Sequence, residues 1–200
     1  IKKDLLVLKR LNVNFVYMPN KKDIYKSKVG TKIILKDKDK ILCARFRKGH
    51  FEGVLDVMDR LTTLIKPKKI FMGEKDFQQL FLVKKYIENK YNSLIVPCKT
   101  IRDKNKLALS SRNLLLDDKE LLHAAKLAQY LISFKKSLVQ NKKNINLINV
   151  KKDCFRKFFN IEIDYLELRN KINLKKTSKG KNSKLFIAYY LNKVRLIDNF

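Results

Sequence analysis

The sequence predicts an α/β protein, with a parallel, doubly wound sheet over residues 1–102 and a small α+β unit over residues 103–200. Three observations carry this. Helix and strand patterns alternate through the first half, the order that builds a parallel sheet. Ile70-Phe71-Met72-Gly73-Glu74-Lys75-Asp76-Phe77-Gln78-Gln79 runs from apolar residues through a glycine and a charged triplet into a helix-compatible stretch. It reads as a buried parallel strand turning directly into a helix. Beyond Arg102 the pattern changes to long helices, then to strands joined by a tight hairpin.

Leu5, Leu8 and Leu11 stripe a helix over residues 2–11, with Asp4 read as a surface charge, and Val13–Met18 ahead of Pro19 predict a strand. Residues 20–44 form a lysine-rich connection with a short strand at Val29-Gly30-Thr31 and Ile33-Ile34-Leu35. Val57, Met58, Leu61, Leu64 and Ile65 give a helix that Gly53 opens and that ends before Pro67. A strand at Ile70–Met72 feeds a helix from about 77 to 89 that buries Leu80, Val83 and Ile87; a strand at Leu94–Val96 then ends at Pro97.

After the polar turn Asp103–Lys106, residues 107–113 form a loop. A helix over 117–139 turns Leu121, Ala124, Ala125, Ala128 and Leu131 inward, and a second lies around 145–159. Strand Ile161–Leu168 follows, and Leu185–Leu191 pairs with Val194–Ile197 across Asn192-Lys193. The lysine and asparagine tracts at 140–144 and 175–184 read as solvated loops.

Hydrophobic residues make up 45% of the chain, with 12 Phe and 8 Tyr, which supports a folded core rather than disorder. No apolar run approaches the ~20 residues of a membrane-spanning helix, so no membrane partner is expected. A net charge of +28 raises a basic nucleic-acid-binding module as an alternative. Only nine of the 47 basic residues are Arg, the lysines are scattered, and no nucleic-acid module accompanies them. No specific nucleic-acid partner is expected. Cys43, Cys98 and Cys154 are odd in number and far apart, which fits a reducing cytoplasm and argues against a disulfide framework or a zinc site.

Residues 70–79 also carry candidate chemistry. Helix N-termini attract anions, Lys75 would add a full positive charge, and Asp76 and Gln79 could meet a hydroxyl or a metal-bound water. An ordinary strand–helix turn, with Glu74 and Asp76 complementing the helix dipole, fits the same residues. Ser110 or Asn113 could likewise simply cap the helix near 117.

Gly73-Glu74-Lys75-Asp76-Phe77-Gln78-Gln79 resembles a signature of the pantoate–β-alanine ligase (pantothenate synthetase) family. Leu107-Ala108-Leu109-Ser110-Ser111-Arg112-Asn113 resembles its second signature, and Arg47-Lys48-Gly49-His50-Phe51-Glu52-Gly53-Val54 a third, with lysine in place of a usual proline. Asp164–Arg169 and Arg195–Asn199 match near the C-terminus, so the resemblance spans nearly the whole chain.

The resemblance implies a Rossmann-like nucleotidyltransferase followed by a small α+β domain. It also implies ATP-dependent condensation of pantoate with β-alanine through a pantoyl adenylate, with Mg²⁺ accompanying ATP, in a cytoplasmic homodimer. It assigns Lys75, Ser111 and Arg112 to catalysis. Gly73, Glu74, Lys75, Asp76, Ile101, Leu109, Ser110, Ser111 and Arg112 go to ATP, and Gln79 to pantoate. Arg47 and His50 would line the cavity, and Asp4 falls where the family has an acidic residue near its site. The family's His-x-Gly-His motif is absent from these residues. The expectation is that the chain is the C-terminal two-thirds or so of such an enzyme and inactive alone. Another adenylate-forming nucleotidyltransferase is the alternative enzyme.

Overall fold

The computed structural model describes residues 1–25, 33–140 and 146–200. Helix α1 (Lys2–Arg10) and two single-turn helices, α2 (Lys21–Ile24) and α3 (Cys43–Phe46), lead to helix α4 (His50–Ile65). Strands β1 (Lys69–Gly73) and β2 (Leu94–Cys98) pair in parallel, Ile70 opposite Ile95 and Gly73 opposite Cys98. A parallel pair needs a crossover, supplied by helix α5 (Phe77–Lys90). α4 packs on α5. Together they bury Phe51, Leu55, Leu80, Leu82, Val83 and Ile87, with Ile70 and Met72 turned toward this core. Phe71 lies on the opposite face and is 67% exposed, so β1 is covered on one side only, not buried as its apolar run predicts.

Several local expectations change. α1 forms, and Asp4 is an exposed surface charge in its first turn. Val13–Met18 form no strand: their apolar composition suits one, but among the described residues no ladder partner lies beside them and their apolar side chains stay exposed. Ile33–Leu35 also lack strand pairing, although Leu35 is buried, and Val29–Thr31 lie outside the described residues. α4 begins at His50 rather than being opened by Gly53. Its N-cap is Gly49, with φ of 77°, a left-handed conformation that suits glycine and sets His50 at the head of the helix. Gly53 sits within the first turn.

In the second half, α6 (Asp118–Gln140) is capped by reciprocal bonds between Asp117 and Glu120, so neither Ser110 nor Asn113 is its cap. It buries Ala124, Ala125, Ala128 and Leu131 as expected, together with Leu127, Phe134 and Leu138; Leu121 is only partly buried. Helix α7 (Asn146–Phe158) and an antiparallel sheet follow: β3 (Glu162–Asn170), β4 (Ser183–Leu191) and β5 (Val194–Asn199), in the order β3-β4-β5.

β4 separates two cores. Leu185, Ile187, Tyr189 and Leu191 face the core built with α6 and α7, whereas Phe186 and Ala188 join the core of α4 and α5. A period-two strand that is apolar at both parities can be buried on both faces, and Leu185–Leu191 has that composition. Phe77 at the head of α5 meets Phe186 with ring centroids 5.8 Å apart.

The tract 175–184 is solvated only in part. Gly180 and Ser183 are buried, and Lys135 of α6 donates to the Gly180 carbonyl (2.8 Å) and to Ser183 Oγ (2.7 Å). Of the tract 140–144, Gln140 ends α6 and the rest lies outside the described residues.

A Cβ at Gly180 would stand 2.5 Å from the Leu138 carbonyl oxygen and 2.7 Å from Val139 Cα. Backbone cannot yield as a flexible side chain does. Gly180→Ala is therefore expected to destabilise the fold by about 1–3 kcal/mol, measured as a lower urea midpoint at unchanged m-value. An unchanged midpoint would mean that the loop slides off α6 at no cost.

Candidate active site

The turn between β1 and α5 is built in two steps. Glu74–Asp76 form a 3-10 turn, and α5 starts only at Phe77 with Asp76 as its N-cap. The strand therefore does not turn directly into the helix. This places Lys75 half-buried and Asp76 exposed, on a turn whose carbonyls face the neighbouring strand β5. The side-chain amide nitrogen of Asn199 donates to the carbonyls of both Glu74 and Lys75, each at 2.9 Å. Lys184 of β4 adds a bond to Glu74 at 3.3 Å.

One turn into α5 the two glutamines divide their work. Gln78 is buried: it accepts from the Cys43 N–H (3.0 Å) and donates to the Ile41 carbonyl (2.7 Å), tying down the segment ahead of Arg47. Gln79 stays half-buried and lines a cavity with Arg47, His50, Phe51, Lys75, Asp76 and Asn199.

The second signature forms a small hairpin, with Arg102 bridged to Ala108 and the Leu109 N–H bonded to the Ile101 carbonyl (3.0 Å). Ser110 then caps a 3-10 turn over Ser111–Leu115, accepting from the Arg112 N–H at 3.3 Å. Arg112 is half-buried and donates to the Arg195 carbonyl of β5 at 2.7 Å. Ser110, Arg112 and Asn113 line a second cavity, and Lys75 lines both.

Of the residues singled out in the sequence, Arg47, His50, Lys75, Asp76, Gln79, Ser110 and Arg112 are brought around these two adjoining cavities. Gly73, Glu74, Ile101, Leu109 and Ser111 line neither. Glu74 instead faces a larger groove between α5 and the β3–β4 connection. Ile101 and Leu109 sit side by side and exposed, and Ser111 is exposed.

Among the described residues neither Lys75 nor Arg47 forms an ion pair, although Arg102, Arg195 and Arg169 are each matched to a carboxylate. Free cationic groups around a cleft suit an anion. Burial pulls the His50 imidazole below its ordinary range, and the nearby Arg47 and Arg112 guanidiniums add to this against the opposing pull of Asp76 and Glu52. His50 is therefore neutral near pH 7.

The cavities hold about 30 Å³ and 20 Å³, room for a water or two each. A nucleotide would require the exposed tips of the flanking loops to shift.

Sequence reasoning quoted Asp164–Arg169 and Arg195–Asn199 but gave them no task. Asp198 takes both arms of the Arg102 guanidinium, at 2.7 and 2.8 Å. Asp164 holds Arg195 at 2.8 Å, and Tyr165 meets buried Cys43 with Oη and Sγ 3.1 Å apart at the cavity wall. Burial, then the neighbouring Cys43, pushes the Tyr165 phenol upward, so it stays protonated. The only signal for these partners was the resemblance, because a pair 96 residues apart leaves no periodic trace.

Compared with known proteins, residues 1–200 match the family described as Pantoate-beta-alanine ligase. The pantothenate synthetase of Campylobacter hominis is 34% identical over 200 residues, covering 98% of this chain and 72% of that protein. That of Ruthia magnifica is 36% identical over 201 residues, covering 100% and 71%. The solved pantothenate synthetase from Thermus thermophilus superposes with a TM-score of 0.90 at 26% identity, covering 100% of this chain and 73% of that one. A pantoate-beta-alanine ligase from Francisella tularensis, solved with beta-gamma ATP and beta-alanine, gives 0.77 at 31% identity, covering 100% and 69%. With the family match running the length of the sequence and three signature segments converging on one cleft, the chain belongs to the pantoate–β-alanine ligase family.

Proposed function

We propose that this chain serves the ATP-dependent condensation of pantoate with β-alanine. The observation that carries the reading is the convergence of Lys75, Asp76, Gln79, Arg47, His50, Ser110 and Arg112 around two adjoining cavities that share Lys75. A carboxylate does not condense with an amine in water unless it is activated. Attack of the pantoate carboxylate oxygen on the α-phosphorus of ATP forms the pantoyl adenylate and releases pyrophosphate. The β-alanine amine then attacks the acyl carbon and AMP leaves.

Each side chain has a task that its placement supports. Lys75, unpaired at the junction of the cavities, faces the charge that builds on the departing pyrophosphate. Arg112 and Ser110 approach from the opposite side and complete the cradle for the phosphates. Ser111, exposed on the same 3-10 turn, would join them as the loop shifts over the nucleotide. Ile101 and Leu109 offer an exposed apolar platform for the adenine ring, and Gly73, with open space around it, leaves room for the nucleotide at the end of β1. Asp76, exposed at the cavity, suits a ribose hydroxyl or a water held by the Mg²⁺ that enters with ATP. Gln79, which can both donate and accept, suits the hydroxyl and carboxylate of pantoate. Neutral His50 and cationic Arg47 lie on that same side. The nucleotide-facing parts of residues 1–102 and the Ser110–Arg112 loop of residues 103–200 would thus act as two jaws.

Three measurements on the complete gene product test this reading. Lys75→Ala should lower the rate of adenylate formation by about 10²–10³-fold, the scale for one preorganised donor, with thermal stability little changed. Near-parental turnover would remove Lys75 from the chemistry. Hydrogen exchange over residues 104–113 should slow when Mg-ATP is added, because the loop closes on the phosphates; unchanged protection would leave Ser110 with its capping task alone. The His50 ring protons, followed by NMR, should titrate below the ordinary histidine range. Arg112→Gln should move that midpoint upward, because it removes a nearby positive charge. An unmoved midpoint would place Arg112 too far from His50 for the cleft described.

A further inference from the structure

We infer that Asn199 is a positioning residue for adenylation, fixing the Lys75 turn relative to the Ser110–Arg112 loop through strand β5; this rests on the function proposed above for Lys75. Asn199 is 3% exposed, and its amide nitrogen spends both N–H groups on the Glu74 and Lys75 carbonyls. Those two peptides set the direction in which the Lys75 side chain leaves the turn. The other side of the amide is less well served: the buried Asn199 Oδ1 has no hydrogen-bond partner among the described residues. A side chain present only to fill space would be better apolar, since an unpaired buried acceptor is unfavourable. Keeping the amide makes sense where its two donors are needed.

The same strand holds the opposite jaw. Asp198 takes the Arg102 fork, Arg102 also donates to the Asn199 carbonyl at 3.1 Å, and the Arg195 carbonyl accepts from Arg112. β5 is itself laddered to β4, Ile197 opposite Ala188, and β4 is buried on both faces. The separation of Lys75 from Arg112 is thus set by nearby residues of one braced strand rather than by the two loops that carry them. Misplacement of a reacting group by about 1 Å can cost on the order of 10²-fold in rate, so such a brace has a kinetic consequence.

The test is a double-mutant cycle in the complete gene product, read as the rate and KM of pantoate-dependent pyrophosphate release from Mg-ATP. Asn199→Asp keeps the side chain's size but turns its two donors into an oxygen facing two carbonyls. Its kcat should fall about 10–100-fold while KM for pantoate changes by no more than about threefold. Combined with Lys75→Ala, it should cost no more than about threefold beyond Lys75→Ala alone, because groups acting as a unit are not additive. Losses that multiply, or a kcat for Asn199→Asp within about twofold of the parent, would overturn the inference. If Asn199→Asp does not fold, Arg102→Lys replaces it. That change keeps the charge but loses the fork on Asp198, and should lower kcat about three- to tenfold, again without adding to Lys75→Ala. No loss, or multiplying losses, would have the same force. Full activity in Lys75→Ala would instead refute the functional reading itself, and the Asn199 inference with it. A Lys75→Ala slowed as expected, with losses that multiply in the double variant, would refute the inference alone.

Discussion

The arrangement depends on β4 being buried on both faces. Its side chains alternate between the α6–α7 core and the α4–α5 core, so the strand cannot shift by one residue without exchanging Ile187 and Tyr189 for Phe186 and Ala188. β5 inherits that register along its full pairing, from Leu191 opposite Val194 to Phe186 opposite Asn199. The polar atoms that β5 presents then meet partners arriving from distant parts of the chain. Asn199 meets the turn after β1, Asp198 meets Arg102, and Arg195 meets both Asp164 and the loop arginine, Arg112.

Charge is handled differently in this interior and at the surface. A chain of net charge +28 carries most of its lysines on exposed positions, where each is solvated and screened. Three guanidiniums packed between the strands are matched, Arg102 to Asp198, Arg195 to Asp164 and Arg169 to Glu167, and exposed Arg45 reaches the same Glu167 from the surface. Burial raises the Glu167 carboxyl's affinity for protons, but Arg169 and then Arg45 outweigh it, so the group stays below the ordinary glutamate range. Against that pattern of pairing, Lys75, Arg47 and Arg112 stand out around the two cavities as half-buried cations without a carboxylate among the described residues. On the function proposed above, a polyphosphate and an acid bound there would complete a set of charges that the fold leaves open.

On the function proposed above, the cleft would hold its reactive groups firmly and still admit a nucleotide. The inner parts of both jaws rest on β5 through a buried amide and a buried ion pair, and their tips are exposed: Asp76 on one, Ile101, Leu109 and Ser111 on the other. Firm anchoring and exposure to solvent are thereby divided along each segment.

Local pattern alone determined most of the elements. Helical stripes gave α4, α5 and α6, apolar runs gave β1, β2 and β4, and the Asn192-Lys193 hairpin formed between the two strands expected, with Asn192 taking the left-handed φ of 50°. The resemblance of three short segments named the chemistry before any contact was known. Tertiary structure decided the rest. Val13–Met18 has a strand's sequence but no strand, because a ladder needs a neighbour that local pattern cannot supply. The head of α4 moved to Gly49-His50 because backbone conformation, rather than the apolar stripe, starts a helix. Gln78 and Gln79 are adjacent amides that the sequence treats alike and both border the same cavity, yet Gln78 is buried and clamps the Cys43 segment whereas Gln79 stays half-buried; only packing separates them. Asp198 and Asn199 were letters in a matching segment until the fold set them 96 and 125 residues away in sequence from Arg102 and Glu74, at hydrogen-bond distance. Sequence carries short-range geometry in its periodicity. Long-range polar partners are fixed by how two cores close on a shared strand, and that information belongs to the whole chain at once.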